Sequence, residues 1–209
     1  MTNFAKTNTY SMTDQHHEKY DSTNPIAQKL INQFMTSIDS LLTLTSHDIQ
    51  SVTECGCGQG HVNRRLEQLY PNARIKGLDI SDADLAIANA EKLSSQTELY
   101  NKSIYDIGEH EKADLVVCCE VLEHLENPEL ALQKMSQLNA RYYLFSVPRE
   151  PLWRILNMMR GKYWSDWGNT PDHCNHWSSR GFKKFVNAEL TIIASRQPLP
   201  WTMILAKPD

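Results

Sequence analysis

The chain has 209 residues, a length that suits one domain with a full-sized hydrophobic core. Apolar residues make up 41% of it and charged residues 22%, which is ordinary for a soluble globular protein. The net charge of −4 argues against nucleic-acid binding through overall charge, and no apolar stretch reaches the roughly 18 residues of a membrane span.

Residues 1–22 are polar and lack the apolar core of a secretory signal, so we expect a flexible leader and a cytoplasmic protein. The rest of the chain, residues 23–209, should form a single domain. The five cysteines are an odd number and include an adjacent pair, which is a poor framework for disulfides. Small, buried, reduced thiols at strand ends are therefore expected, and the spacing does not favour a thiolate metal site.

The chain then alternates between helical and strand patterns. Helices are predicted over 24–44, 61–70, 82–95 and 127–139, and strands over 51–56, 73–81, within 97–107, 113–121 and 142–148. This alternation is typical of a Rossmann-like, doubly wound α/β fold with a parallel sheet. Residues 188–208 instead predict two strands joined by the short segment RQPLP. They should form an antiparallel hairpin at the edge of the sheet.

The segment TECGCGQGH, residues 53–61, places three glycines between the first strand and the helix that follows it. Glycine permits a sharp turn and the close approach of a ligand, and the helix start offers free N–H groups. A dinucleotide fingerprint would need glycine where His61 stands, so a dehydrogenase is disfavoured. The pattern E-x-G-x-G-x-G resembles motif I of the class I S-adenosylmethionine (SAM) methyltransferases, and the resemblance extends over the whole chain.

That resemblance implies a seven-stranded sheet with a SAM site at its carboxyl edge. It implies that Glu54 helps to place the methionine end, that Asp79 holds the ribose hydroxyls, and that Asp106 lies near the adenine amine. The residues expected to bind SAM are Glu54, Gly56, Cys57, Gly58, Gly60, Asp79, Ile80, Tyr105, Asp106, Cys119 and Glu120. A catalytically silent SAM-binding regulatory protein remains an alternative from another functional class.

The segment CCEVLEHLENP, residues 118–128, follows the fourth strand and carries Glu120, Glu123 and His124. Helical spacing would place Glu120 and His124 on one face, with Glu123 beside them. Such groups repel one another or bury charge unless a cation joins them, and this donor set suits Mg²⁺, Mn²⁺ or Fe²⁺. EVLEH resembles the E-x-x-E-H motif of Hen-type small-RNA 2′-O-methyltransferases. It is equally similar to the corresponding motif of ubiquinone-biosynthesis O-methyltransferases. Both resemblances imply a divalent ion such as Mg²⁺ or Mn²⁺.

A later histidine is available in the loop 168–179. The candidate metal ligands are Glu120, Glu123, His124, His173 and His176, and the candidate catalytic residues are His124, Glu120 and His173. The same motif is widespread in class I methyltransferases that need no metal. In that case His124 or a histidine of the later loop would take the acceptor's proton directly. The sequence leaves both possibilities open.

Residues 148–185 should select the acceptor. Within 151–168, apolar and aromatic residues interleave with arginine and lysine. Three interpretations compete: a helix packed on the sheet, a lid over the acceptor, and a basic amphipathic helix that contacts a membrane surface through 151–164. A lid that is also partly packed is the expectation. The expected reaction is O-methylation of a small aromatic or lipid-like molecule. The alternative is 2′-O-methylation at an RNA 3′ end, which the overall charge disfavours.

Overall fold

The computed structural model describes residues 23–46, 48–91, 93–159, 161, 166–171 and 173–209. The expected leader, residues 1–22, lies outside the described residues. So do positions 160 and 162–164 of the segment for which membrane contact is predicted.

Six α-helices and seven β-strands lie within these ranges. The helices are α1 (Pro25–Leu42), α2 (His61–Leu69), α3 (Asp82–Ala90), α4 (Pro128–Ser136), α5 (Leu152–Met159) and α6 (Ser179–Val186). The strands are β1 (Ser51–Cys55), β2 (Arg74–Asp79), β3 (Thr97–Asn101), β4 (Leu115–Cys119), β5 (Tyr142–Pro148), β6 (Thr191–Arg196) and β7 (Trp201–Lys207). Short 3₁₀ turns cover Ile104–Asp106, Glu109–Glu111 and Leu122–His124.

The seven strands form one sheet in the order β3-β2-β1-β4-β5-β7-β6. The first five strands in this order are parallel, and β7 runs antiparallel to both β5 and β6. This arrangement confirms the predicted Rossmann-like sheet with a C-terminal antiparallel hairpin. The direction of strand succession reverses between β1 and β4, and ligands of doubly wound sheets bind beyond the carboxyl ends of strands at such a point.

Apolar layers cover both faces of the sheet. On one face α1 and α2 contribute Phe34, Ile38 and Leu66, which are fully buried. On the other face α4 and α6 contribute side chains such as Met135 and Phe182. Because β4 is covered on both sides, all five of its residues are buried, and its sequence is uniformly apolar rather than alternating. Two buried layers of this kind hold the carboxyl edge in place.

Helix α6 was not predicted from the sequence. It is only eight residues long and contains Gly181, a poor helix former, although Phe182, Phe185 and Val186 have helical spacing. Its N-cap is Ser178, whose side chain accepts a hydrogen bond from the Gly181 N–H. Phe182 and Val186 anchor it in the core, while Arg180 and Lys184 are exposed on its outer side.

The cysteine prediction holds for four of the five residues. Cys55, Cys57, Cys118 and Cys119 are free and buried at or just beyond strand ends, but Cys174 is exposed in the loop before α6. The expectation of buried thiols was therefore wrong for Cys174, because it belongs to a loop and not to a strand end.

Candidate active site

The glycine loop, residues 56–60, folds back onto the end of β2. The N–H groups of Gly56 and Cys57 both donate to the carbonyl oxygen of Leu78, at 2.7 and 3.0 Å. The Gly58 N–H donates to Oδ2 of Asp79 at 2.8 Å. Asp79 therefore closes the loop against β2, and its carboxylate lies at the carboxyl edge where the sequence predicts a ribose site.

Two of the loop glycines, Gly56 and Gly58, have similar backbone conformations but different surroundings. Gly56 and Gly58 both have positive φ angles, +76° and +50°, which favour glycine. A Cβ on Gly56 would lie 2.2 Å from Cγ2 of Val121, so this position is closed by packing. A Cβ on Gly58 would meet nothing within 4 Å. The loop thus packs against the turn after β4 at one end and leaves open space at Gly58.

Glu54 lies in β1 beneath this loop and is 2% exposed. The side-chain amide of Asn63, on α2, donates to its Oε2 at 2.5 Å. Burial, reinforced by the negative charge of Asp79, raises the pKa of Glu54 well above its usual range. A cationic ligand at this edge would favour the ionised carboxylate. Sequence analysis missed Asn63, because a single amide on a short helix carries no motif.

The other residues expected to bind SAM lie at or below the same edge. Ile80 is 71% exposed just beyond β2. Tyr105 is half-buried and accepts a hydrogen bond from the Asn127 N–H at 3.2 Å, while Asp106 is exposed beside it. Cys119 is buried at the end of β4. An adjacent cleft of about 340 Å³ is lined by Tyr105, His124, Leu125, Glu126, Asn127 and Leu130.

Glu120 does not continue β4 into a helix. Its φ is +60°, and a 3₁₀ turn follows over Leu122–His124. The prediction that Glu120 and His124 share a helical face was therefore wrong, because one left-handed residue redirects the chain. The Glu120 carboxylate accepts hydrogen bonds from Oγ of Ser146 at 3.2 Å and from Nε1 of Trp201 at 2.5 Å. Neither of these partners was identified from the sequence.

A compact group of donors forms from Glu123, His124 and His173. One possible ligand atom from each lies within 4.8 Å of the others, and the two imidazole centroids are 4.9 Å apart. Glu123 is 1% exposed and His173 is 7% exposed. The N–H groups of Cys174 and Asn175 both donate to the Glu123 carbonyl oxygen, at 2.8 and 3.0 Å, and so hold the later loop on this turn. The structure therefore brings the predicted later histidine to the motif.

The other candidate histidine of that loop lies elsewhere. Nδ1 of His176 is 3.5 Å from Oε1 of Glu150. Burial and the nearby Arg154 guanidinium lower the pKa of His176, while Glu150 acts in the opposite direction. Of the five candidate metal ligands, the structure gathers three and directs Glu120 and His176 to other partners.

The acceptor region is built on α5. The Asn157 side chain, which is buried, donates to the Gly168 carbonyl oxygen at 3.0 Å. Nε1 of Trp153 donates to Oγ1 of Thr170 at 2.9 Å, and its ring stacks on His173 with centroids 5.6 Å apart. Helix α5 thus supports the loop that carries His173. None of the helices within the described ranges is long and apolar enough to cross a membrane.

Comparison with known proteins agrees with this geometry. The model of a family described as a methyltransferase domain matches residues 16–189. A ubiquinone biosynthesis O-methyltransferase from Leptothrix cholodnii is 26% identical over 148 residues, which are 67% of this chain and 58% of that protein. A malonyl-[acyl-carrier protein] O-methyltransferase from Bacillus anthracis is 21% identical over 116 residues, 56% of this chain and 42% of that protein. The chain spans about half the length of the curated relatives it matches.

Among solved structures, magnesium protoporphyrin IX methyltransferase from Synechocystis PCC 6803, with bound SAH, superposes with a TM-score of 0.70. The match covers 94% of this chain and 93% of the other at 17% identity, and so supports the fold alone. The family match extends over most of the sequence, and the strand order and glycine loop agree with it. The chain therefore belongs to the methyltransferase domain family, and within it to the class I SAM-dependent methyltransferases.

Proposed function

We propose that the protein transfers the methyl group of SAM to a hydroxyl oxygen of a small aromatic or lipid-like molecule. The observation that carries this proposal is the Glu123–His124–His173 cluster at the carboxyl edge of the sheet. Its turn abuts the glycine loop through Val121 and Gly56, so proton-handling groups lie beside the expected cofactor site. The two relatives named above are both O-methyltransferases by name, which supports an oxygen acceptor.

Open space at Gly58 and two carboxyl groups at the edge support SAM as the cofactor. The open space at Gly58 admits a ligand close to the backbone, and the carboxyl groups of Glu54 and Asp79 suit a molecule with positive charge. When bound, SAM supplies a methyl group that its sulfonium makes electrophilic. The protein's own contribution is then to orient the acceptor and to handle its proton.

A hydroxyl is a weak nucleophile at neutral pH, and the cluster offers two ways to activate it. In the first, the imidazole of His124 or His173 accepts the proton directly. In the second, the cluster holds Mg²⁺ or Mn²⁺, which would lower the pKa of a coordinated hydroxyl. One carboxylate oxygen and two imidazole nitrogens within 4.8 Å of one another are a suitable donor set for such an ion.

The acceptor class is inferred from the surroundings of the cluster. Trp153 is half-buried and stacks on His173, so the wall next to the cluster is aromatic. Aromatic and apolar acceptors pack well against such rings. An RNA backbone would use Arg180, Lys183 and Lys184 of α6, but this helix packs on the face of the sheet opposite to the one against which Trp153 packs. This supports a small molecule over RNA.

The proposal is tested by mass spectrometry of cell-extract metabolites that gain one CH₂ group only when enzyme and SAM are both present. His173→Ala should abolish the gain, whereas His110→Ala, an exposed histidine in a separate 3₁₀ turn, should leave it unchanged. Both variants should still bind SAH by calorimetry.

Chelation distinguishes the two activation routes. Loss of turnover on chelation, restored by Mn²⁺, supports the metal, and unchanged turnover supports direct proton transfer. Labelled methyl in the RNA fraction would replace the small-molecule acceptor with RNA. SAH binding without any methylated product would favour the silent regulatory protein.

A further inference from the structure

Trp201, the first residue of β7, contacts three elements that surround the site. It is 2% exposed, and its indole N–H donates to Oε2 of Glu120 at 2.5 Å. Its ring centroid lies 4.9 Å from that of Phe34 on α1 and 6.3 Å from that of Trp153 on α5. One side chain of the C-terminal hairpin thus joins the turn after β4 to the first helix and to the acceptor region.

Glu120 needs these contacts because its backbone is unfavourable for a residue with a side chain. A φ of +60° costs free energy in any residue with a Cβ and persists only where the surroundings hold it. Among the described residues, three hydrogen bonds hold Glu120. Its N–H donates to the Ser146 carbonyl oxygen at 3.1 Å, and its two carboxylate oxygens accept from Ser146 and Trp201.

The residues that follow Glu120 lie next to the expected cofactor site and in the donor cluster. Val121 packs against the position of Gly56 in the glycine loop, and Glu123 and His124 belong to the donor cluster. The position of Glu120 therefore determines where this turn, residues 121–124, lies beside the glycine loop. A shift of the turn would move Glu123 and His124 relative to the expected acceptor site.

We propose that Trp201 is a positioning residue of this active site. Its indole N–H holds Glu120 and so fixes the turn 121–124 between the glycine loop and the acceptor. If the ring only filled the core beside Phe34, loss of its N–H would not affect the turn. A variant that keeps a ring but lacks the N–H therefore distinguishes core filling from positioning. Two experiments test this role. The first measures activity and rests on the proposed methyl transfer, whereas the second measures amide hydrogen exchange and does not depend on the reaction.

The activity arm compares Trp201→Phe with Tyr143→Phe. Phenylalanine keeps an aromatic ring at either site but removes the hydrogen-bonding group. Tyr143 is a matched control, because it is fully buried near the amino end of β5, away from the carboxyl edge, and its hydroxyl bonds the backbone of Ala140 and Ser136. Loss of a hydrogen bond to a carboxylate should lower kcat about tenfold or more in Trp201→Phe, with SAH affinity changed by less than about threefold. Tyr143→Phe should retain the wild-type kcat. Equal kcat values for the two variants, or a parallel loss of SAH binding and folding in Trp201→Phe, would overturn the assignment.

The second arm is amide hydrogen exchange, which needs no turnover. The N–H groups of His124 and Leu125 close the turn by donating to the carbonyl oxygens of Val121 and Leu122. In Trp201→Phe these two amides should exchange about tenfold faster, while those of β2 stay unchanged. Glu120→Ala should produce the same acceleration, and adding Trp201→Phe to it should produce no further change. Unchanged exchange in Trp201→Phe would refute the positioning role, whatever the reaction proves to be. If exchange responds as expected but no methylated product forms, only the proposed function fails.

Discussion

Replacing Gly56 by alanine should destabilise the protein much more than the same change at Gly58. Both residues have a positive φ, so alanine is strained at either position. They differ in their surroundings, because the new Cβ at 56 would lie 2.2 Å from Cγ2 of Val121 whereas the one at 58 would meet nothing within 4 Å. The pair therefore separates backbone strain from packing.

The left-handed conformation costs an alanine about 1–2 kcal/mol relative to glycine. Forcing extra volume into a packed site costs roughly 1–3 kcal/mol more. We therefore expect the free energy of unfolding to fall by about 1–2 kcal/mol in Gly58→Ala and by about 2–5 kcal/mol in Gly56→Ala. Adding Val121→Ala to Gly56→Ala removes the methyl groups that clash, and should recover about 1–3 kcal/mol of that loss.

Urea unfolding followed by circular dichroism measures these values, and titration calorimetry with SAH measures binding. Gly58→Ala should weaken SAH binding more than its modest effect on stability would suggest, because its methyl group projects into the open side of the loop. Equal unfolding midpoints for the two alanine variants would contradict the contact between the glycine loop and the turn after β4. So would a failure of Val121→Ala to restore stability.

Three further predictions concern the buried carboxyl group of Glu54, the contact of Gly168 with α5, and the exposed apolar side chains of α5. Because the folded protein keeps a proton on Glu54 that the unfolded chain releases above its usual pKa of 4.5, stability without ligand should fall as pH rises. Glu54→Gln should flatten that slope in urea unfolding between about pH 5 and pH 8. Gly168→Ala, whose Cβ would lie 2.2 Å from a carbonyl oxygen of α5, should raise the acceptor KM without changing SAH affinity. If α5 touches membranes, serine at the exposed Ile155 and Met159 should reduce co-sedimentation with anionic vesicles, whereas serine at the exposed Ile26 should not.

The parts of the site that the sequence predicts are those in which the signal is local. Gly56 and Gly58 lie within three residues of the end of β1, and Asp79 is the last residue of β2. Parallel strands bring their carboxyl ends to one edge without further information. The strand pattern likewise predicts the hairpin, because the segment between β6 and β7 is too short for a helix. These features need only chain order and turn chemistry.

The partners of Glu120 are of another kind. Ser146 lies 26 residues along the chain from it and Trp201 lies 81 residues away, and each reaches it only through sheet pairing. A serine inside an apolar strand and a tryptophan after a proline are both ordinary in sequence. Their shared role depends on β7 inserting next to β5, a tertiary arrangement that no local pattern contains.

The turn after β4 also shows why a motif match does not define a ligand set. Helical spacing would make Glu120, Glu123 and His124 neighbours, yet one residue at a φ of +60° directs the first carboxylate to β5 and β7 and leaves the Glu-His pair to meet His173. Three protein donors would leave coordination positions open on any bound ion, as in catalytic rather than structural metal sites. Those positions would be available to acceptor oxygens, so a three-donor cluster suits the proposed reaction.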